Sequence, residues 1–196
     1  MFDPNFIGIY DNILSSQQCK EIIEWVETQP LQRGKTRYKN EIVVNLKSKS
    51  SWDVPYKKTS FPNKTFVDLI INNALADCTP LYRKSHPDLD KIDSWDVYNN
   101  YNIQKYNPNE GYYTLHCENG GGKGIQRVLV WMIYLNTVTD KGGTYFCSYN
   151  KTIRAKEGRL VIWPAYFTHF HEGVVSKTQT KYIATGWYTF TNVVIE

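Results

Sequence analysis

Arg127-Val128-Leu129-Val130-Trp131-Met132-Ile133-Tyr134-Leu135 is the stretch whose reading decides the fold. It is rich in β-branched and aromatic residues and predicts a strand. Working outward, Ile103 to Tyr106, Thr144 to Cys147, Arg159 to Trp163, Thr168 to His171 and Lys181 to Phe190 read the same way. Turn signals separate them: Asn107-Pro108-Asn109, Gly120-Gly121-Gly122, Asp140-Lys141-Gly142-Gly143, Glu157-Gly158 and Pro164-Ala165. The pattern changes to strands at about Trp95.

The first third reads as helical. Ser15-Ser16-Gln17-Gln18 is a capping box, followed by an apolar stripe of Ile22, Ile23 and Val26. Pro30 ends that helix, because the residue before a proline is pushed out of helical conformation. A second helix fits Thr65 to Asp77, with Phe66, Leu69, Ile70 and Ala74 on one side. Between them, Leu31 to Lys58 is polar and mixed, and predicts a long loop or short hairpin that could contact substrate or simply be solvated. Helices first and short antiparallel strands afterwards predict a mainly β, α+β fold: a sandwich or jelly roll backed by helices. With no repeat and no linker, residues 1–196 read as one domain, with helical support over about 1–90 and a β core over about 95–190.

Hydrophobic residues at 41% and charged residues at 21% describe an ordinary globular chain. The net charge of +4 and the absence of a basic block give no indication of nucleic acid binding. The four cysteines, Cys19, Cys78, Cys117 and Cys147, form no Cys-x-x-Cys pair and read as reduced thiols. No leader or membrane-spanning pattern is visible, so a cytoplasmic location is expected. Oligomeric state is not legible.

Chemistry concentrates in His116-Cys117-Glu118 and Thr168-His169-Phe170-His171-Glu172-Gly173. Two imidazoles and one carboxylate form the ligand set of a non-haem Fe(II) site that keeps open positions. His116 and Glu118 are two apart, so in an extended segment they point to the same side. His169 and His171 share a face in the same way, and parity cannot choose between them. Further on, Lys181, Ile183, Thr185 and Trp187 share one parity. An inward lysine there would need an anion, since burying an unpaired ammonium is costly.

In order and spacing, these motifs resemble the prolyl 4-hydroxylase-like branch of the 2-oxoglutarate/Fe(II)-dependent dioxygenases. The run includes Lys105-Tyr106, His116-Cys117-Glu118, Tyr134-Leu135-Asn136, Gly142-Gly143-Thr144-Tyr145-Phe146, Trp163-Pro164-Ala165, His171-Glu172-Gly173, Lys181-Tyr182 and Gly186-Trp187. The resemblance covers roughly residues 95–190, with a fainter echo around Tyr10-Asp11-Asn12 and Cys19-Lys20. It implies a double-stranded β-helix, of the jelly-roll or cupin-like kind. His116, Glu118 and His171 match its metal ligands, and Lys181, ten residues after His171, matches the residue that pairs with the far carboxylate of 2-oxoglutarate. Tyr106 and Tyr134 match tyrosines of the co-substrate pocket, and Trp187 a bulky residue near the metal. His169 is left as a pocket residue. The chain departs from the pattern at Glu118, where aspartate is usual; a carboxylate there still implies hydroxylation rather than halogenation.

The implied cofactors are Fe(II), 2-oxoglutarate and dioxygen, with ascorbate in support. The implied activity is hydroxylation of prolyl residues in a peptide or protein, releasing succinate and CO2. Alternatives are a different peptide residue or a small molecule as substrate, or a cupin-type metal protein that is no oxygenase. Substrate contacts are expected from Tyr38, Trp52, Tyr56 and His169. Neither nucleic acid nor membrane is expected as a partner.

Overall fold

The computed structural model describes residues 4–38, 41–57 and 65–191, apart from a few side chains, among them those of Tyr38 and Tyr56. Two helices come early. Helix α1 (Ser16–Glu27) opens on the expected capping box: Gln18 N–H donates to Ser15 Oγ at 3.2 Å, and Ser15 N–H to Gln18 Oε1 at 2.9 Å. Helix α2 (Phe66–Ser85) opens on a second box, Thr65 with Asp68. It runs well past Asp77, with Pro80 inside it. A proline inside a helix removes a hydrogen bond. Here the Thr79 hydroxyl donates to the Leu75 carbonyl at 2.6 Å, and buried Cys78 and Tyr82 anchor the helix on both sides of the proline.

The strands are β1 (Gly8–Tyr10), β2 (Gln32–Arg33), β3 (Thr36–Tyr38), β4 (Glu41–Val43), β5 (Trp52–Lys57), β6 (Trp95–Tyr106), β7 (Arg127–Tyr134), β8 (Thr144–Phe146), β9 (Lys151–Ile153), β10 (Arg159–Pro164), β11 (His171–Gly173) and β12 (Lys181–Phe190). Seven form one antiparallel sheet in the order β1-β10-β7-β12-β6-β5-β2. A three-stranded sheet, β11-β8-β9, faces it, and β3 pairs with β4. This mainly β architecture is the double-stranded β-helix, backed by the two helices.

Strand β7 shows why its sequence is apolar throughout. Leu129, Trp131 and Ile133 pack into a core cluster with Ile22, Ile71 and Leu75 of the helices. Val130, Met132 and Tyr134 pack into a second cluster with Phe146 and Trp163. A central strand covered on both faces loses the polar alternation of a half-exposed one. Gly186 of β12 lets the sheet close over Trp131, since a Cβ there would stand 2.6 Å from the indole ring.

Three expectations need correction. The Leu31–Lys58 stretch, expected as a long loop or short hairpin, does hold one short antiparallel pair, β3 with β4, but it also holds β2 and β5, and β5 pairs with β6 in the main sheet. Its strand character was masked because Asp53 points inward and is 7% exposed, satisfied by Lys49 and Ser51. Thr168 to His171 is not a strand: Phe167–His169 is a 3-10 turn, and β11 begins at His171. Strand β9 was not anticipated. Among the described residues no helix is long and apolar enough to cross a membrane, and the four cysteines are free.

Candidate metal centre

His116 and His171 are brought together by a backbone bridge. His116 N–H donates to the His171 carbonyl at 3.0 Å, and His171 N–H returns to the His116 carbonyl at 2.8 Å. Glu118 N–H donates to the Ala165 carbonyl at 3.0 Å, which fixes the turn that follows β10 against the same segment. One ligand atom from each of His116, Glu118 and His171 lies within 4.8 Å of the others. His169 is elsewhere: its ring meets the Asn5 carbonyl at 2.8 Å and the Thr168 hydroxyl at 2.9 Å, and it does not line the cavity.

The tautomers suit a metal. Nδ1 of His116 lies 2.8 Å from the Thr114 carbonyl, and Nδ1 of His171 lies 2.9 Å from the His169 carbonyl. Carbonyls only accept, so each Nδ1 carries the proton and each Nε2 presents a lone pair. Glu118 Oε1 stands 3.4 Å from His116 Nε2 and 3.9 Å from His171 Nε2. Its other oxygen is engaged: Arg127 Nη1 and Trp187 Nε1 each donate to Oε2 at 2.9 Å. Burial alone would raise the Glu118 carboxyl, but the His116 contact and the Arg127 charge hold it well below the usual carboxylate range. Burial pushes His171 down to about 3, helped by the neighbouring His116. An anionic carboxylate and a neutral buried imidazole are the protonation states a cation needs.

These residues line a cavity of about 550 Å³. Lys181, Ile183, Thr185 and Trp187 of β12 all reach it, as their shared parity requires. Lys181 is 5% exposed, and burial lowers it to about 8. Its ammonium lies 4.7 Å from the centroid of the Tyr106 ring, with no carboxylate partner among the described residues. The Tyr106 hydroxyl is committed to Gln104 Oε1 at 2.6 Å. Tyr134 does not line the cavity: it is fully buried, its hydroxyl 2.7 Å from that of Thr144, which does. Trp52 lies outside the lining, under the Arg33 guanidinium at 4.1 Å. The side chains of Tyr38 and Tyr56 lie outside the described residues.

Sequence reasoning passed over Tyr112, whose ring stacks on His116 at 3.8 Å and 15°. It also passed over Arg127 as a site residue. A cation opening an otherwise apolar strand was the available signal, and its guanidinium lies 3.6 Å over the Trp187 ring.

Residues 101–189 match the family model of the 2OG-Fe(II) oxygenase superfamily, a span that contains the whole His/Glu/His group and Lys181. That stretch of the chain, with its His/Glu/His group, is therefore similar to the 2-oxoglutarate/Fe(II)-dependent oxygenases, whose cofactor and co-substrates are Fe(II), 2-oxoglutarate and dioxygen. Among solved structures, the viral collagen prolyl hydroxylase of Paramecium Bursaria Chlorella virus-1, in its 2OG complex, superposes with a TM-score of 0.67 at 18% identity, over 96% of this chain and 98% of that one. A Pseudomonas putida prolyl-4-hydroxylase gives 0.69 at 13% identity, over 93% and 92%. A Trichoplax adhaerens prolyl hydroxylase, solved with a hypoxia inducible factor peptide fragment, gives 0.68 at 17% identity, over 95% and 84%. At these identities the likeness is one of fold. No curated protein sequence matches the chain.

Proposed function

We propose that the chain hydroxylates prolyl residues in a peptide or protein substrate, with His116 Nε2, Glu118 Oε1 and His171 Nε2 holding Fe(II). The donor set fits: two neutral imidazoles and one anion, with the remaining coordination positions open. When bound, iron with 2-oxoglutarate and dioxygen supplies oxidative decarboxylation to succinate and CO2 and the oxygen atom that enters a C–H bond.

The chain's own residues do the rest. Thr114 and His169 carbonyls orient the imidazoles. Arg127 and Trp187 hold Oε2 of Glu118, so that one oxygen is presented and the extra methylene of glutamate is taken up without slack. Lys181 receives the far carboxylate of 2-oxoglutarate, which restores a counter-ion to a buried ammonium. Lysine is a point charge rather than a fork, so nearby hydroxyls such as Thr144 share in positioning. Ile183, Met132 and Trp163 are apolar cavity walls that limit water.

The observation that carries this reading is the pairing, in one cavity, of the His/Glu/His group with a buried lysine lacking a carboxylate. A non-oxygenase metal protein has no use for that lysine. The prolyl substrate is supported by the fold shared with three prolyl hydroxylases, one of them solved with a peptide. The test is succinate release with Fe(II), 2-oxoglutarate and ascorbate against a panel of proline-containing peptides, with mass detection of a one-oxygen gain. Gain on a residue other than proline, or on small molecules only, rejects the prolyl assignment.

A further inference from the structure

Residues 31–64 carry nine Lys and Arg against two Asp and Glu, while the rest of the chain carries fourteen against seventeen. The modest whole-chain charge therefore hides one strongly basic segment in an otherwise mildly acidic protein. The described part of that segment opens onto the metal cavity: Arg33, Lys35 and Lys49 line it, together with Arg127 and Lys181 on the barrel strands. Against these five cations stand Asp53 and Glu118.

The balance stays positive in the loaded enzyme. Asp53 meets Lys49 at 2.7 Å, Glu110 meets Arg33 at 2.7 Å, and Glu118 offsets Arg127. Fe(II) and the 2-oxoglutarate dianion cancel each other. Lys181 and Lys35 are left over. Lys181 is buried behind the co-substrate position, whereas Lys35 is exposed at the mouth and has no carboxylate partner among the described residues.

We propose that the substrate is an acidic peptide, drawn to the cavity by the cations that line it, with Lys35 as a direct contact for a carboxylate near the hydroxylated residue. The inference rests on the oxygenase reading above and narrows its substrate class. Two features favour a peptide over a nucleic acid. Strand β2, which carries Arg33, ends the seven-stranded sheet, and an edge strand offers backbone groups that an extended peptide can satisfy. Two aromatic rings of the cavity already have one face covered, where base stacking needs a free one: Trp187 by Arg127 and Tyr112 by His116. Charge complementarity of this kind acts mainly on encounter and selection, and weakens with salt.

The experiment is fluorescence anisotropy with three labelled peptides, a central proline flanked by glutamates, by alanines or by lysines, and a single-stranded oligonucleotide of the same charge as the glutamate peptide. Binding of 2-oxoglutarate to the metal-loaded protein is measured alongside. The glutamate peptide should bind about tenfold more tightly than the alanine peptide at low salt. Lys35→Glu should remove most of that advantage, and Lys35→Ala about half, with 2-oxoglutarate binding unchanged. Equal binding of glutamate and alanine peptides, tighter binding of the oligonucleotide, or indifference to Lys35→Glu overturns the proposal. Selective glutamate-peptide binding without 2-oxoglutarate binding would instead reject the oxygenase reading and leave the acidic preference standing.

Discussion

Trp187 Nε1 donates to Glu118 Oε2 at 2.9 Å, and this bond settles which carboxylate oxygen faces the two imidazoles. Arg127 donates to the same oxygen at 2.9 Å and also to the Glu118 carbonyl at 3.0 Å. A glutamate has one more rotatable bond than an aspartate. The Arg127–Trp187 clamp restrains that bond.

Releasing the clamp should loosen the metal. Arg127→Met is expected to weaken Fe(II) or Mn(II) binding by about 10- to 100-fold, the usual range when a group that orients a ligand is lost. Trp187→Phe keeps an aromatic face for Arg127 while losing the indole N–H, so its loss should be smaller. Metal titration followed by electron paramagnetic resonance of Mn(II) measures both. Unchanged affinity in both variants would show that Glu118 needs no clamp.

Lys181→Met should weaken 2-oxoglutarate binding by at least about 30-fold, about 2 kcal/mol, as expected when one partner of a buried ion pair is truncated. Metal affinity measured without 2-oxoglutarate should not change. The thermal midpoint of the protein free of 2-oxoglutarate should stay level or rise, because an unpaired buried ammonium is replaced by an apolar side chain of similar length. Calorimetric titration and a melting curve test the three outcomes.

The same lysine sets a pH dependence. Its folded value, about 8, lies below the ordinary 10.5 because of burial. Below about pH 8 the ammonium is charged in both folded and unfolded chains, and its burial cost is fully present. Between about 8 and 10.5 the unfolded chain binds more protons, so this group's contribution raises stability as pH rises. Binding runs the other way: 2-oxoglutarate needs the charged form, so affinity should be level up to about pH 8 and then fall about tenfold per unit. An affinity that does not change up to pH 10 contradicts Lys181 as the counter-ion.

Packing at Gly186 gives a prediction about stability. A Cβ at this position would stand 2.6 to 2.9 Å from three atoms of the fully buried Trp131 indole. Gly186→Ala should destabilise the protein by about 1–3 kcal/mol, the usual cost of overpacking a filled core. Denaturant unfolding measures it, and a neutral result would mean that the two strands can part there.

Much of this was legible in the sequence where one residue type carried one meaning. The Ser15 and Gln18 side chains fix the start of α1, and the apolar run of β7 marks the central strand. The shared parity of Lys181, Ile183, Thr185 and Trp187 is the parity of the cavity wall. What was not legible depended on partners far apart in the chain. Asp53 reads as a loop residue until Lys49 and Ser51 are seen to satisfy it inside the sheet. His169 and His171 are equivalent by spacing, and the 3-10 turn through Phe167–His169 separates them: one meets the Asn5 carbonyl, the other the metal group. Tyr134 was expected at the co-substrate, yet the second core cluster takes it and leaves Thr144 on the cavity wall. The basic segment escaped notice because the total charge averages it against the acidic remainder.

The central claim is that His116, Glu118 and His171 hold an iron that drives 2-oxoglutarate decarboxylation. Succinate release by the purified protein, compared with Glu118→Ala under the same Fe(II), 2-oxoglutarate and oxygen supply, tests it most directly. The account predicts release that requires iron and oxygen and falls to background in a Glu118→Ala variant with an unchanged circular dichroism spectrum. Release that persists in that variant, or that proceeds without iron, would contradict it.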